Sequence, residues 1–103
     1  MSIDTDVVVK DTTKSKNITN ELKKWNVIMF NDNVTTVEFV IFVLKEVFNY
    51  SDETAIDLTY KIHNEGKSIV GTYTYEVAEQ KAADTLYLAY QYSYPLEVKV
   101  QRS

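Results

Sequence analysis

The chain contains no cysteine, and its 103 residues include only two glycines, one proline and one histidine. Each scarcity removes a class of chemistry. Without cysteine there is no disulfide framework, no thiolate nucleophile and no Cys-ligated zinc, and nothing points to an oxidising compartment. A single histidine disfavours a dedicated zinc site. With so little glycine, no Gly-rich loop can cradle a phosphate. Met1 to Lys10 carries Asp4 and Asp6 near its start and only Val7 to Val9 as an apolar run, so it lacks the basic and apolar regions of a signal peptide. The longest apolar run, Phe39 to Leu44, is far too short to span a bilayer. A formal net charge of -4 opposes non-specific binding to the polyanionic backbone of nucleic acid. These absences describe a soluble cytoplasmic protein with neither nucleic acid nor membrane as a partner.

What is present fits one domain with a tail. At 45% hydrophobic and 25% charged residues, the chain can bury a modest core and has no room for a second domain. Residues 1–23 are rich in Asp, Thr, Lys, Ser and Asn without sustained periodicity, which reads as a flexible arm preceding a core over 24–103. Trp25 to Phe30 is a β-prone run that stops at Asn31-Asp32-Asn33, three turn-favouring residues. Thr35 and Glu38 have the spacing of a capping box and open an apolar helix reaching Phe48. A second helix starts at Ser51, with Ala55, Leu58, Thr59 and Ile62 on one stripe, and closes at His63 and Gly66. Lys67 to Tyr73 reads as a short strand in which Gly71 permits a bend or a close backbone approach. A third helix runs from about Thr74 to Tyr92, with Val77, Ala78, Ala82, Leu86 and Ala89 as expected core positions. The tyrosines crowded between Tyr73 and Tyr94 are expected in the core or half-buried on that helix. Beyond Pro95, Leu96, Val98 and Val100 alternate with Glu97, Lys99 and Gln101. The expected fold class is α+β, a three-stranded antiparallel sheet packed against three helices in the order β-α-α-β-α-β.

Two polar clusters stand at the ends of apolar segments. Asn31-Asp32-Asn33 alone is a common Asx turn, and His63 alone is a common helix C-terminus, where imidazole meets free carbonyls. Brought together beside an apolar wall, an amide, a carboxylate and an imidazole suit capture of a cation with an apolar tail. Asp32 and His63 could also pair as carboxylate and base, but no serine or cysteine lies in a recognisable nucleophile motif. Asp32, Glu38 and His63 match no familiar metal-ligand spacing.

The surrounding residues carry a family likeness. Val27 to Val40, with its apolar strand, Asn31-Asp32, Thr35 and Glu38-Phe39-Val40, resembles the ClpS family of adaptors for the Clp protease. His63, Gly66-Lys67 and Gly71 resemble a second family segment, Glu76-Val77-Ala78-Glu79 with Lys81 a third, and Tyr94-Pro95-Leu96 a fourth. Together they cover about residues 24–101 in the family's order and spacing.

The resemblance implies an adaptor, not an enzyme, with no cofactor and no metal. It would recognise substrates bearing N-terminal Leu, Phe, Tyr or Trp and deliver them to a Clp AAA+ unfoldase, docking on the unfoldase N-terminal domain. It places N-terminal amine binding on Asn31, Asp32 and His63, and a hydrophobic pocket on Thr35, Val37, Val40, Thr59, Ile62 and Leu96. Unfoldase binding would fall on Glu76 and Lys81. A cytoplasmic location is implied, or a plastid stroma if the chain is a processed form. The alternative is a regulator that binds the unfoldase and inhibits other substrates without delivering N-degrons.

Departures from the family pattern locate the open questions. Val37 replaces a Met that gates the pocket against β-branched residues, which predicts tolerance of Ile or Val at the first substrate position. Thr59 also replaces a Met, making a smaller and more polar wall, and Phe42 replaces a polar residue. Asn33 replaces a second Asp, lowering negative charge near the pocket mouth.

Overall fold

A computed structural model describes residues 23–103. All but the last residue of the expected arm over 1–23 therefore lies outside the described residues. The elements are β1 (Trp25–Phe30), α1 (Val37–Glu46), α2 (Asp52–Glu65), β2 (Lys67–Tyr73), α3 (Tyr75–Gln91) and β3 (Glu97–Arg102). The order is β-α-α-β-α-β, as the hydrophobic patterning predicts.

β1 is central, pairing antiparallel with β2 on one side and β3 on the other. Period-two alternation then places Val27, Met29 and Val98 in the core, while Ile69, Lys99 and Gln101 point to the opposite, open face. The β1–β2 register shifts between Val27 and Ile28, because Val27 pairs with Gly71 and Ile28 with Ile69. Val70 is the extra residue of this bulge, and its side chain is buried. Its carbonyl accepts a hydrogen bond of 2.6 Å from the Tyr50 hydroxyl, a partner from outside the ladder. Gly71 follows the bulge, and a Cβ there would run into the ring of Tyr73.

Helix ends follow local chemistry. Ser51 caps α2 through its side-chain oxygen, which accepts from the Thr54 amide. Gly66 closes α2 in the left-handed region at φ 88, where a residue without Cβ is favoured. At α1 the capping residue is Thr36, whose hydroxyl oxygen accepts from the Phe39 amide at 3.1 Å. The expectation of Thr35 as the cap is therefore corrected by one residue, because Thr35 is bonded to Asp32 instead.

α3 also departs from its expected pattern. Its buried stripe is Ala78, Ala82, Thr85 and Ala89, whereas Val77 and Leu86 are exposed. Small side chains on the inner face let α3 pack close to the sheet, and the Thr85 hydroxyl is satisfied by donating to the Lys81 carbonyl at 2.9 Å. The larger residues are turned outward. Tyr75, Tyr87, Tyr90 and Tyr92 are exposed rather than core, and only Tyr73 and Tyr94 of that group are half-buried.

Candidate functional site

The site begins where β1 runs out. The Asn31 amide donates to the Gly66 carbonyl at 2.9 Å, so the end of β1 is tied to the residue that terminates α2. This bond and the Phe30–Lys67 pairing bring Asn31-Asp32 to the end of the helix that carries His63 in its last turn. Two clusters separated by about a third of the chain thus share one edge of the fold. Asn31 and His63 are both exposed there.

Asp32 is held by a compact turn. Its Oδ1 accepts from the Val34 amide at 2.8 Å and the Thr35 amide at 2.7 Å, while Oδ2 accepts from the Thr35 hydroxyl at 2.7 Å. Burial pushes the Asp32 carboxyl up, but the bonds from Thr35 and Val34 together outweigh it and hold the group below its ordinary value. The carboxylate is therefore ionised at neutral pH. A carboxylate has about four lone-pair sites, so three bonds leave capacity for one more donor. The Asx turn expected of Asn31-Asp32-Asn33 is present, and it orients a negative charge that stays accessible.

The apolar residues assigned by resemblance divide by depth. Val40, Ile62 and Leu96 belong to one buried hydrophobic cluster, and Thr59 is buried as well. Val37, at 37% exposure, and half-buried Thr35 lie nearer the surface. Thr59, Ile62 and His63 follow i, i+3, i+4 spacing on α2, which aligns methyl groups with an imidazole along one helix face. Thr59 is less polar than its identity implies, because its hydroxyl donates to the Ala55 carbonyl at 2.7 Å and so leaves its methyl as the distinct contribution.

Glu76 and Lys81 lie away from these residues on α3. Glu76 is exposed in the first turn. The Lys81 ammonium donates to the Val47 carbonyl at 2.8 Å and lies 5.7 Å from the centroid of the Tyr73 ring. Val47 caps the C-terminal end of α1, where free carbonyls and the negative dipole end favour a cation. Lys81 is thus a tie between α3 and α1.

One recess was not read from the sequence as a site. Thr36, Glu38, Phe39, Phe42, Tyr92 and Tyr94 line a cleft of about 260 Å³. Phe42 is the one member whose unusual identity could have signalled it. Among the described residues no group of three or more His, Cys, Asp or Glu side chains could hold a metal ion, and no helix is long and apolar enough to cross a membrane.

Comparison with known proteins gives a consistent result. The family model "ATP-dependent Clp protease adaptor protein ClpS" matches residues 20–99. An ATP-dependent Clp protease adapter protein ClpS from Helicobacter hepaticus is 40% identical over 86 residues, covering 84% of this chain and 87% of that protein. Its counterpart from Nautilia profundicola is 43% identical over 79 residues, covering 77% and 81% respectively. Among solved structures, Agrobacterium tumefaciens ClpS2 bound to L-phenylalaninamide superposes with a TM-score of 0.76 at 31% identity, covering 79% of this chain and 98% of that one.

Proposed function

This chain belongs to the ClpS family of ATP-dependent Clp protease adaptors, and from that premise we propose that it captures proteins by a bulky hydrophobic N-terminal residue and delivers them to a Clp AAA+ unfoldase. An adaptor binds and presents, so no bond is broken at its site. The ionised Asp32 carboxylate accepts from the substrate's α-ammonium group, a cation with several donors. The Asn31 side-chain oxygen and a ring nitrogen of His63 complete the acceptors. The first side chain then packs among Thr35, Val37, Val40, Thr59, Ile62 and Leu96. Burying a Leu or Phe side chain is worth about 1.5 to 3 kcal/mol, which separates large first residues from small ones.

The observation that carries this reading is the Asn31–Gly66 tie, which sets an oriented carboxylate at the His63 end of α2, beside apolar side chains. The ligand in the ClpS2 structure adds support, since phenylalaninamide joins a free α-amino group to a benzyl side chain. Val37 in place of a longer side chain leaves room for branching at Cβ, so Ile and Val join Leu, Phe, Tyr and Trp as accepted first residues. Docking on the unfoldase N-terminal domain falls to the α3 surface around Glu76.

The test is a fluorescence-anisotropy titration with peptides beginning Leu, Phe, Ile and acetyl-Leu. Free Leu and Phe peptides should bind and the acetylated peptide should not, because acetylation removes the positive charge and a donor. Unfoldase binding without peptide affinity would instead identify a regulator that blocks other substrates.

A further inference from the structure

The two outer strands of the sheet are each paired on one side only, because β1 is central. An unpaired edge is a row of free amide and carbonyl groups, which proteins commonly interrupt with a bulge, a proline or a covering contact. β2 is interrupted in this way. Its register shifts at the Val70 bulge, and the Tyr50 hydroxyl bonds the Val70 carbonyl at 2.6 Å. β3 carries no such device. Its register with β1 is unbroken from Trp25–Arg102 to Phe30–Glu97, it contains no proline, and no loop or turn of the described residues bonds its backbone.

One bond fixes the direction of the free groups. The Ser103 amide donates to the Lys24 carbonyl at 3.1 Å, which makes Lys24 and Ser103 a hydrogen-bonded pair in continuation of the β1–β3 register. Such pairs alternate with non-hydrogen-bonded ones along an antiparallel ladder, so Glu97, Lys99 and Gln101 turn their backbone groups to β1, whereas Val98, Val100 and Arg102 turn theirs outward. A further strand can therefore bond β3 at Val98 and Val100.

The side chains state which strand fits. Glu97 and Lys99 lie on the open face of the sheet, 3.4 Å apart, with side chains 56% and 61% exposed. A lone lysine on an edge deters pairing, but a glutamate two residues away makes this strand complementary to itself. When a second β3 runs antiparallel about Val98, the two Val98 residues form a hydrogen-bonded pair. Glu97 of each copy then stands opposite Lys99 of the other, in non-hydrogen-bonded pairs whose side chains approach most closely. Neighbouring registers lose this. Centring on Lys99 opposes two lysines, centring on Glu97 opposes two glutamates, and centring on Val100 sets Lys99 against Gln101 without an ion pair. On the helix-covered face, the Val98 register sets half-buried Val100 beside Leu96 of the second copy, which continues the apolar row.

We propose that the β3 edge is a self-association surface, through which two copies of this chain pair about Val98. The two three-stranded sheets become one continuous sheet, with both helical layers on the same side. Charge complementarity between Glu97 and Lys99 selects the second copy as the occupant and sets its register.

Sedimentation velocity of the full chain over roughly 1 µM to 1 mM, where a weak specific contact becomes populated, tests this. The mass should rise from that of the monomer towards twice that value. Glu97→Lys and Lys99→Glu each oppose like charges at both symmetry-related positions, and each should weaken association roughly tenfold or more. The double variant Glu97→Lys/Lys99→Glu restores opposite charges at both positions and should recover the parent's association. An equimolar mixture of the two single variants should form a mixed dimer for the same reason. Both side chains are exposed, and circular dichroism checks that each variant is folded. A parent that stays monomeric at every concentration, single variants that associate as tightly as the parent, or a folded double variant and a mixture that both remain monomeric would overturn the proposal.

Discussion

Replacing Asp32 by Asn tests the centre of the proposed site with almost no change in shape. The carboxylate accepts three hydrogen bonds, from the Val34 amide and from the amide and hydroxyl of Thr35. An amide oxygen can retain the two bonds from backbone amides at Oδ1, but the NH2 group replaces the acceptor that faces the Thr35 hydroxyl. The hydroxyl can rotate to accept, so the expected loss in stability is about 1 kcal/mol, that of one ordinary hydrogen bond. For a domain of this size that lowers Tm by roughly 4 to 8 °C. Binding should suffer more. A hydrogen bond to a charged group is worth about 1.5 to 3 kcal/mol, so affinity for a Leu peptide should fall roughly tenfold to hundredfold.

The pH dependence adds a second signature. Because the folded Asp32 carboxyl is held below its ordinary value, its contribution is present above the ordinary aspartate range and is lost as pH falls through the lower folded value. Asp32→Asn should remove this part of the acid dependence. At the alkaline end both proteins should lose affinity as the peptide α-amino group deprotonates, around its reference value of about 7.7 to 8.0. Anisotropy from acid to alkaline pH, with thermal melts of both proteins, measures all three effects. Asp32→Asn binding within twofold of the parent at neutral pH, with the fold intact, would refute Asp32 as the amine acceptor.

Further variants separate recognition from architecture. Val37→Met should narrow the apolar end and raise the Leu-to-Ile affinity ratio several-fold, and an unchanged ratio in parallel titrations would remove Val37 as a determinant of selectivity. Lys81→Met leaves the Val47 carbonyl without its donor and should cost about 1 to 2 kcal/mol in chemical denaturation. Glu76→Gln, by contrast, should weaken unfoldase binding without altering the denaturation midpoint. Gly66→Ala meets nothing within 4 Å, so its expected cost of about 1 to 2 kcal/mol comes from the left-handed backbone alone. A melt unchanged from the parent would contradict that account.

The local signals that proved legible were those written in contiguous residues. The Trp25–Phe30 and Lys67–Tyr73 strands, the Ser51 cap and the Gly66 stop all follow from neighbours a few positions away. Thr35 and Thr36 were harder to tell apart, because both have a hydroxyl suited to capping. The competing acceptor, Asp32, decides which one turns toward the helix. α3 failed for a related reason. Its apolar residues surround the axis too evenly for periodicity to choose an inner face, and closeness to the sheet selects Ala78, Ala82, Thr85 and Ala89.

By itself the sequence determined the element order, the family likeness and the identities of the polar residues at the ends of β1 and α2. Those depend on local propensity and on side-chain chemistry, which a linear string records. Only the tertiary structure decided that Asn31 meets Gly66, that Lys81 reaches the end of α1, and that Phe42 shares a cleft with Tyr92 and Tyr94. Each joins residues more than thirty positions apart, and such contacts form where buried surface and paired hydrogen bonds outweigh the entropy of closing the chain between them.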